Sequence, residues 1–595
     1  MSGNGRRGPI AALGGDAIMI LVALVVGGVA WIVGWLAAHG TCAVSDRKER
    51  AGAVTAVLRM LIGRSPEEAW QAPGMSAVVF WVLAVLLTAL ALSALAAVVV
   101  LASRTGDRLR PAGGHGLGGW RDMRRYYSAA ALERMTWLRP DLGSPKACDL
   151  GVPVGRALLG KVWIACEDSV AVSAPSRQGK TRFLIIPMIL AWRGPAVVTS
   201  VRTELVTATL RRRSGRGPVA VFAPTTNVDR VVSGHHVLRW SLTSGCENPT
   251  VALRRARALA ANAAQGAENA DFWQANAQTA LAAMLHAAAL TDAGIDELSR
   301  WCAAPGQARA AATILKTCGG SAAEWGAQLE GQLSGDERTV SNVWATLNSC
   351  VSLPLMDPAV RQALSPTKND ELDVEAFLAS CGTLYVVGDA SAASAPIVAA
   401  LVEEVYAVAT ERANRSPNNR LVPPLAQILD EINNIANLTS LPTMMSAGGG
   451  SNVMTVVVEQ SRAQSGARWG SMVAAAIWDS ATVKILLGGI MREETLREVS
   501  GALGERVVGR VTTSRGRGPT STSWAEHKEA VLTGGQVHAL ERGHSLVIKA
   551  GAKAMIMRSL PGEDDEETHG RVETWLMRRA GRRLARTRRR EQGGR

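Results

Sequence analysis

The sequence predicts an α/β protein in which a parallel sheet with crossover helices carries an all-helical insertion and follows two membrane-spanning helices. Three observations lead to this fold class. Short apolar segments alternate with helical patterns from about Gly151, strands are missing between about Pro249 and Leu364, and two long charge-free runs lie near the N-terminus. Alternation of strands with helices is typical of a parallel sheet whose strands are joined by helical crossovers.

The two charge-free runs, Ala17–Ala38 and Met75–Leu101, predict transmembrane helices. Each exceeds the roughly 20 residues that a helix needs to cross the hydrocarbon core of a bilayer. A signal peptide does not account for the first run, because the run is too long and a second one follows it. Arginines flank both runs, so charge alone leaves their orientation open.

Composition narrows the classes of partner. The chain has 595 residues, a hydrophobic content of 47% and a formal net charge of +14. This charge favours an anionic partner, either nucleic acid or an anionic membrane surface, although arginines beside the predicted spans account for part of it. None of the eight cysteines forms a CxxC pair, which argues against a zinc site.

Seven apolar segments predict the strands of the α/β part, and segments with helical periodicity lie between them. The strands are Lys161–Val172, Ala196–Thr199, Val219–Phe222, Thr383–Val387, Leu425–Leu429, Met454–Val458 and Val483–Leu487. The predicted helices include Trp120–Pro140, Gly179–Ala191 and Phe272–Leu290. A Ser/Thr/Gly-rich stretch at Val511–Trp524 predicts a loop or hairpin, and residues 563–595 form a charged tail.

A phosphate-binding loop is the strongest chemical signal. Ala174–Thr181 matches the pattern GxxxxGK[ST] except at its first position, and it follows an apolar strand and opens a helix. Its backbone N–H groups would surround a β-phosphate, Lys180 would contact the β- and γ-phosphates, and Thr181 would bind Mg²⁺. The predicted nucleotide-binding residues are Pro175, Ser176, Arg177, Gln178, Gly179, Lys180 and Thr181.

Acidic and amide side chains at two further strand ends complete the predicted site. Asp430 and Glu431 end an apolar strand, so Asp430 is a candidate Mg²⁺ ligand, directly or through water, and Glu431 a candidate group to polarise the attacking water. Gln460 follows the next strand and could sense the γ-phosphate; the alternative is a strand-end cap. The predicted catalytic residues are therefore Lys180, Glu431 and Gln460, the predicted metal ligands Thr181 and Asp430, and the predicted cofactors ATP and Mg²⁺.

Ring-forming ATPases of this kind usually take an arginine from the neighbouring subunit. Arg462 and Arg468 are candidates for that role, and both could equally be surface charges or DNA contacts. Because nucleotide is cytosolic, an ATPase fixes the orientation of the predicted spans. Both termini should then be cytosolic, with His39–Gly74 outside, in a multi-pass protein of the cytoplasmic membrane.

Several longer blocks resemble the type IV secretion coupling proteins, the TraG/TraD-type conjugation ATPases. The blocks are LDEINNIANLTSLP at Leu429–Pro442, EQSRAQ at Glu459–Gln464, DFWQANAQ at Asp271–Gln278, VVTSVRTEL at Val197–Leu205 and IWDSATVKILLGG at Ile477–Gly489. The resemblance covers roughly Gly151–Pro561. FtsK-like DNA translocases are similar in their RecA-like core but lack the LDE-x6-L-x2-LP block.

The resemblance implies a hexameric RecA-like P-loop motor that passes a relaxase–DNA complex to a type IV secretion channel by ATP hydrolysis. On this basis residues 1–110 are the membrane anchor, 111–150 a linker, 151–248 and 366–562 the nucleotide-binding domain, and 249–365 the inserted all-α domain. Three alternatives stay open: export of protein effectors only, translocation of double-stranded DNA as by FtsK-like proteins, and a membrane receptor that does not hydrolyse ATP.

Two positions depart from the family's pattern. Ala174 replaces the first glycine of the phosphate-binding loop. The loop Ser446–Asn452 lacks the basic residue that relatives often carry, which directs attention to Arg462 and Arg468 as the arginine acting on a neighbouring subunit.

Overall fold

The chain falls into two units, Met1–Pro111 and Ala112–Arg595, which are described separately. The structure is a computed structural model. It describes residues 32–43, 55–56, 59–60, 62–90, 93, 116–158, 160–226, 228, 231–232, 237–262, 270–388, 394–514 and 521–560.

The first unit is helical where it is described. Residues 32–43 and 77–90 are helical, and a short helix, Pro66–Trp70, begins after Ser65, whose hydroxyl accepts a hydrogen bond from the Glu68 N–H. Trp70 and Phe80 are buried in its small apolar cluster. Within the described residues, no helix combines the length and the apolar character needed to cross a membrane. Residues 17–31 of the first charge-free run, and 91–92 and 94–101 of the second, lie outside the described residues.

The second unit is built on an eleven-stranded mixed sheet with the strand order β2-β1-β13-β12-β9-β3-β8-β7-β4-β6-β5. The strands, with the separate hairpin β10–β11, are β1 Gly151–Ala157, β2 Gly160–Ala165, β3 Val170–Ser173, β4 Ala196–Ser200, β5 Val219–Phe222, β6 Thr383–Val387, β7 Leu425–Asp430, β8 Val453–Glu459, β9 Val483–Leu487, β10 Glu505–Ser514, β11 Ser521–Ala530, β12 His544–Lys549 and β13 Met555–Arg558.

The strands from β9 to β5 are parallel to one another, and β12, β13, β1 and β2 extend the sheet in antiparallel pairing. Strands β3, β4, β6, β7 and β8 are buried along their whole length, as expected for a parallel sheet covered on both faces. Val197 packs into the apolar core on one face of the sheet and Val198 into the core on the other. The predicted parallel α/β architecture is confirmed.

One predicted strand proves to be two. The stretch Lys161–Val172 forms the end of β2, a turn, and the start of β3. Asp168 stabilises the turn. Its carboxylate accepts a hydrogen bond from the Ala165 N–H at 2.7 Å and forms an ion pair with Lys549 Nζ at 2.6 Å. The polar residues Glu167–Ser169 interrupt the apolar stretch at this reversal, which the prediction of a single strand overlooked.

Helices cover the sheet and fill the long connection between β5 and β6. Helix Val374–Ala379 lies in that connection, just before β6. The helices outside the connection, with their single π-turns and 3₁₀ turns, are Trp120–Asp122, Met123–Tyr127 (π), Ala129–Leu132, Thr136–Leu138 (3₁₀), Ala147–Leu150, Thr181–Ile185 (π), Ile186–Ala191, Glu204–Ser214, Ala395–Asn414, Pro417–Asn419 (3₁₀), Ile432–Ile435, Leu441–Ala447, Gly448–Ser451 (3₁₀), Arg462–Trp469, Ser471–Asp479, Glu493–Leu503 and Gly534–His538.

The connection between β5 and β6 contains a helical segment. Its elements are Pro249–Ala260, Ala270–Leu290, Ile295–Ala303, Pro305–Cys318, Gly320–Leu333, Glu337–Leu347, Asn348–Ser352 (π), Pro354–Met356 (3₁₀) and Pro358–Ala363. Across the described residues from Pro249 to Ala363 there is no strand. Because β5 and β6 are hydrogen-bonded neighbours, the segment leaves the sheet and returns to the adjacent strand.

A buried arginine holds the starts of β4 and β6 together. Arg213, in the last turn of helix Glu204–Ser214, is 1% exposed. Its guanidinium donates to the Thr383 hydroxyl and to the carbonyls of Ile189, Trp192, Gly194, Cys381 and Gly382. None of these partners is a carboxylate, and burial lowers the pKa of Arg213 to about 10. The charge is stabilised by backbone dipoles at the amino edge of the sheet.

We expect Arg213→Met to lower the free energy of unfolding of the second unit by about 3 kcal/mol, because several buried carbonyls lose a charged donor at once. Urea unfolding followed by tryptophan fluorescence measures the change. Arg211→Met, on an exposed side chain of the same helix, is the matched control and should have little effect. Equal unfolding midpoints for the two variants would contradict the role given to Arg213.

Candidate nucleotide-binding site

The predicted site residues lie at the carboxyl ends of three neighbouring strands. Strand β8 pairs with β3 on one side and with β7 on the other. Ser173 of β3 is in register with Glu459 of β8, and Asp430 of β7 is in register with Val458. The loops that follow these strands therefore meet at one edge of the sheet, which is where ligands bind in open α/β folds.

The phosphate-binding loop leaves β3 and enters a helix in a fixed conformation. Arg177 and Gly179 have left-handed backbones, with φ of 65° and 81°. A Cβ on Gly179 would lie 2.4 Å from Cδ2 of Phe183, so only glycine fits at this position. The following helix begins with the π-turn Thr181–Ile185 and continues as Ile186–Ala191. The loop thus presents backbone N–H groups at a helix start, a suitable place for an anion.

Alanine at position 174 is compatible with this loop. Ala174 is fully buried and its N–H donates to the Glu459 carbonyl at 3.0 Å, continuing the pairing of β3 with β8. Its φ is not among the left-handed values found in the described residues. The first position of the loop therefore does not need the conformational freedom of glycine here.

Lys180 joins the loop to the acidic end of β7. Its ammonium lies 3.0 Å from Asp430 Oδ1 and 2.9 Å from Glu431 Oε1. Lys180 is 8% exposed and Asp430 3% exposed. Burial raises the pKa of Asp430, and the charge of Lys180 opposes that rise. The contact offsets part of the cost of holding a buried carboxylate in its charged form.

Gln460 connects Glu431 to the phosphate-binding loop. Its Nε2 donates to Glu431 Oε1 at 3.0 Å, and its Oε1 accepts from the Ser176 hydroxyl at 3.1 Å. Glu431 itself has a left-handed backbone, with φ of 55°, which is uncommon for a non-glycine residue. The structure thus brings Ser176, Lys180, Asp430, Glu431 and Gln460 into one hydrogen-bonded group.

The two candidate arginines are engaged within their own chain. Arg462 pairs with Glu498 at 3.2 Å, and its guanidinium lies 4.6 Å from the centre of the Trp478 ring. Arg468 donates to Asn262 Oδ1 at 3.3 Å, and burial lowers its pKa. Neither side chain belongs to the hydrogen-bonded group around Lys180.

A buried polar network behind Gln460 was not predicted from the sequence. Ser465 Oγ accepts from Asn433 Nδ2 at 2.8 Å and donates to the Glu459 carboxylate. All three side chains are buried, and burial raises the pKa of Glu459. The network links helix Arg462–Trp469 to the segment after Glu431. Glu459 in the block EQSRAQ and Ser465 directly after it were the available signal, but their partner Asn433 is distant in sequence.

Comparisons with known proteins agree with this geometry. A family model described as "Type IV secretory system Conjugative DNA transfer" matches residues 130–560. The unbound form of the bacterial conjugative coupling protein TrwBΔN70 is 16% identical, with a TM-score of 0.53, and the match covers 77% of this chain and 99% of that one. No curated protein sequence matches the chain significantly.

Two further solved structures carry nucleotides. TrwB in complex with the GTP analogue GDPNP is 17% identical, and TrwB with ADP and Mg²⁺ is 16% identical. Each has a TM-score of 0.52, and each match covers 74% of this chain and 94% of the other. At these identities the likeness shows a shared fold.

Gly179→Ala should weaken nucleotide binding more than about tenfold, because the added Cβ meets Phe183 and the left-handed backbone is strained in any L-residue. Titration with a fluorescent ATP analogue measures the affinity. Gly466→Ala is the matched control, since a Cβ there meets nothing within 4 Å. Equal affinities in both variants would show that the loop does not hold the phosphates.

Proposed function

Because the chain belongs to the family of type IV secretory system conjugative DNA transfer proteins, we propose that it is a membrane ATPase that couples a relaxase–DNA complex to a type IV secretion channel. ATP hydrolysis drives the transfer of the DNA. The observation that carries this proposal is the contact of Lys180 with both Asp430 and Glu431 at the edge where β3, β8 and β7 end.

The loop from Pro175 to Thr181 is suited to the phosphates of ATP. Gly179 leaves room for a close approach of the backbone, and Lys180 supplies a positive charge in a largely buried setting. Its ammonium contacts both Asp430 and Glu431 and offsets part of their negative charge. With nucleotide bound, the β- and γ-phosphates offer it a second anionic partner, so its contact with the two carboxylates weakens.

Thr181 and Asp430 are the residues that would hold Mg²⁺. A hydroxyl and a carboxylate are oxygen ligands, the type that Mg²⁺ prefers. Burial raises the pKa of Asp430 even though Lys180 opposes the rise, and a divalent ion beside the carboxylate would favour its ionised form. When bound there, Mg²⁺ would offset the negative charge that develops on the phosphates.

Glu431 and Gln460 are placed to act on the water that attacks the γ-phosphate. Glu431 Oε1 accepts hydrogen bonds from both Lys180 and Gln460, so its carboxylate is held at a fixed position. Gln460 also accepts from Ser176 of the loop and is therefore sensitive to what the loop binds. We assign Glu431 to orient and polarise the water, and Gln460 to report the presence of the γ-phosphate.

The proposal also covers the oligomeric state, the membrane anchor and the partners of the chain. The chain works as a homo-hexamer, is anchored in the cytoplasmic membrane through Ala17–Ala38 and Met75–Leu101, and has both termini in the cytosol. Its partners are the relaxase, single-stranded DNA and components of the secretion channel. One arginine completes the nucleotide site of the neighbouring subunit. For Arg462 this requires that assembly breaks its contacts with Glu498 and Trp478. For Arg468 it requires that assembly breaks its contact with Asn262.

Glu431→Gln should lower the ATP hydrolysis rate at least about a hundredfold while nucleotide still binds, because the amide cannot polarise water as a carboxylate does. Lys180→Ala should lose both hydrolysis and tight binding. Phosphate release and binding of a non-hydrolysable analogue separate the two effects. Lys528→Ala, on the exposed face of β11, is the control. Unchanged hydrolysis in Lys180→Ala would refute the assigned site.

Binding of the purified full chain to single-stranded DNA should weaken steeply with salt. On a logarithmic plot the slope is about −0.7 for each phosphate neutralised. Fluorescence anisotropy of a labelled oligonucleotide between low and physiological salt measures it, with a duplex of equal length beside it. A flat response would favour the export of protein effectors alone, and a clear preference for duplex would favour a translocase of double-stranded DNA.

A further inference from the structure

Glu431 lies in a strained turn of the chain. Its backbone is left-handed, with φ of 55° and ψ of 27°, at the start of the short helix Ile432–Ile435. A residue other than glycine stays in this conformation only where the surrounding structure holds it there. Because the position of the Glu431 carboxylate depends on this turn, the contacts that hold the turn also determine where the carboxylate lies.

A buried hydrogen bond outside the nucleotide site is one of these contacts. Asn433, two residues after Glu431, donates from Nδ2 to Ser465 Oγ at 2.8 Å. The Ser465 hydroxyl donates its own hydrogen to the Glu459 carboxylate, so its oxygen serves Asn433 as an acceptor. Ser465 is 3% exposed, and the other two side chains are also buried. Water cannot readily replace the contact, so its loss would leave a buried amide unpaired.

The Ser465 hydroxyl is the link between the other two side chains. Among the described residues, neither Asn433 Oδ1 nor Glu459 Oε1 has a hydrogen-bond partner, so both side chains depend on Ser465. Glu459 is the last residue of β8, and its carbonyl accepts from the Ala174 N–H at 3.0 Å. The sheet therefore fixes Glu459, and Ser465 ties Asn433 to it.

Two consecutive residues at the end of β8 hold Glu431 in two ways. Gln460 donates to the Glu431 carboxylate at 3.0 Å. Glu459 acts through Ser465 and Asn433 on the backbone that follows Glu431. The side chain and the backbone of the same residue are thus held from one strand end.

We propose that Ser465 is a positioning residue for ATP hydrolysis, which keeps the turn after β7 in the conformation that directs the Glu431 carboxylate to the attacking water. Ser465 belongs to helix Arg462–Trp469, and its hydroxyl acts on Glu431 through Asn433. Misplacing a catalytic group by about 1 Å can lower a rate about a hundredfold. The inference rests on the proposed function, because it requires that Glu431 polarises the water.

The test compares ATP hydrolysis and unfolding of the full chain and its variants. Ser465→Ala should lower kcat about tenfold, while the affinity for a non-hydrolysable ATP analogue stays within about twofold, because the phosphate-binding loop is unchanged. Ser352→Ala is the matched control and should keep kcat. Its buried hydroxyl donates to the Ser299 carbonyl at 2.9 Å in the helical segment, so the variant also loses a buried hydrogen bond. Tryptophan fluorescence gives the unfolding midpoint of each variant.

A second measurement shows whether Ser465 acts through Glu431. In a Glu431→Gln background the carboxylate is already absent, so Ser465→Ala should change the residual single-turnover rate by less than about twofold. The inference is overturned by an equal loss of rate in both backgrounds, by an unchanged kcat in Ser465→Ala, or by a parallel loss of kcat and analogue affinity. If Ser465→Ala does not fold, Asn433→Ala removes the same hydrogen bond from its other side and is judged by the same outcomes.

The proposed function is judged separately from the positioning role. If the unmodified chain does not hydrolyse ATP, or if Glu431→Gln hydrolyses it as fast as the unmodified chain, the proposed function fails. If Glu431→Gln is inactive while Ser465→Ala keeps the full kcat, the proposed function stands and only the role of Ser465 is refuted.

Discussion

The contact of one buried ammonium with two carboxylates is the interaction on which the site depends. Lys180 comes from the loop after β3, while Asp430 and Glu431 end β7, and β8 lies between these strands. Their side chains meet only because the three strands are parallel and end at one edge. A buried charge without its partner is strongly unfavourable. The contact therefore requires the order of the central strands, and that order in turn requires a cationic side chain in the loop to offset the charge of the buried carboxylate.

The helical segment contacts the stretch of chain that follows Glu431. It begins after β5, and its first helix is tied to helix Ala395–Asn414 by an ion pair of 3.2 Å between Arg255 and Glu404. At the end of that first helix, Asn262 accepts from the Asn437 N–H at 2.7 Å and donates to the Asn437 carbonyl at 2.9 Å. Asn437 follows Glu431 by a few residues, so the segment touches the stretch of chain that leaves the catalytic edge.

Charged side chains are stabilised in different ways at the two edges of the sheet. At the carboxyl edge, one ammonium contacts two carboxylates in a largely buried group. At the amino edge, the buried guanidinium of Arg213 is stabilised by the carbonyl groups of Gly194 and Gly382. A parallel sheet makes such a division possible, because all of its core strands begin on one side and end on the other.

The sequence by itself determined the parallel strands, the phosphate-binding loop and the acids after β7, because buried apolar runs and their flanking residues are local signals. It did not reveal β12 and β13, which are partly exposed, nor the turn that separates β2 from β3. Only the tertiary structure showed that Gln460 contacts Glu431, that Asn433 joins Ser465, and that Arg213 bridges β4 and β6. These contacts join residues distant in the chain, and only the strand order of the folded sheet brings them together.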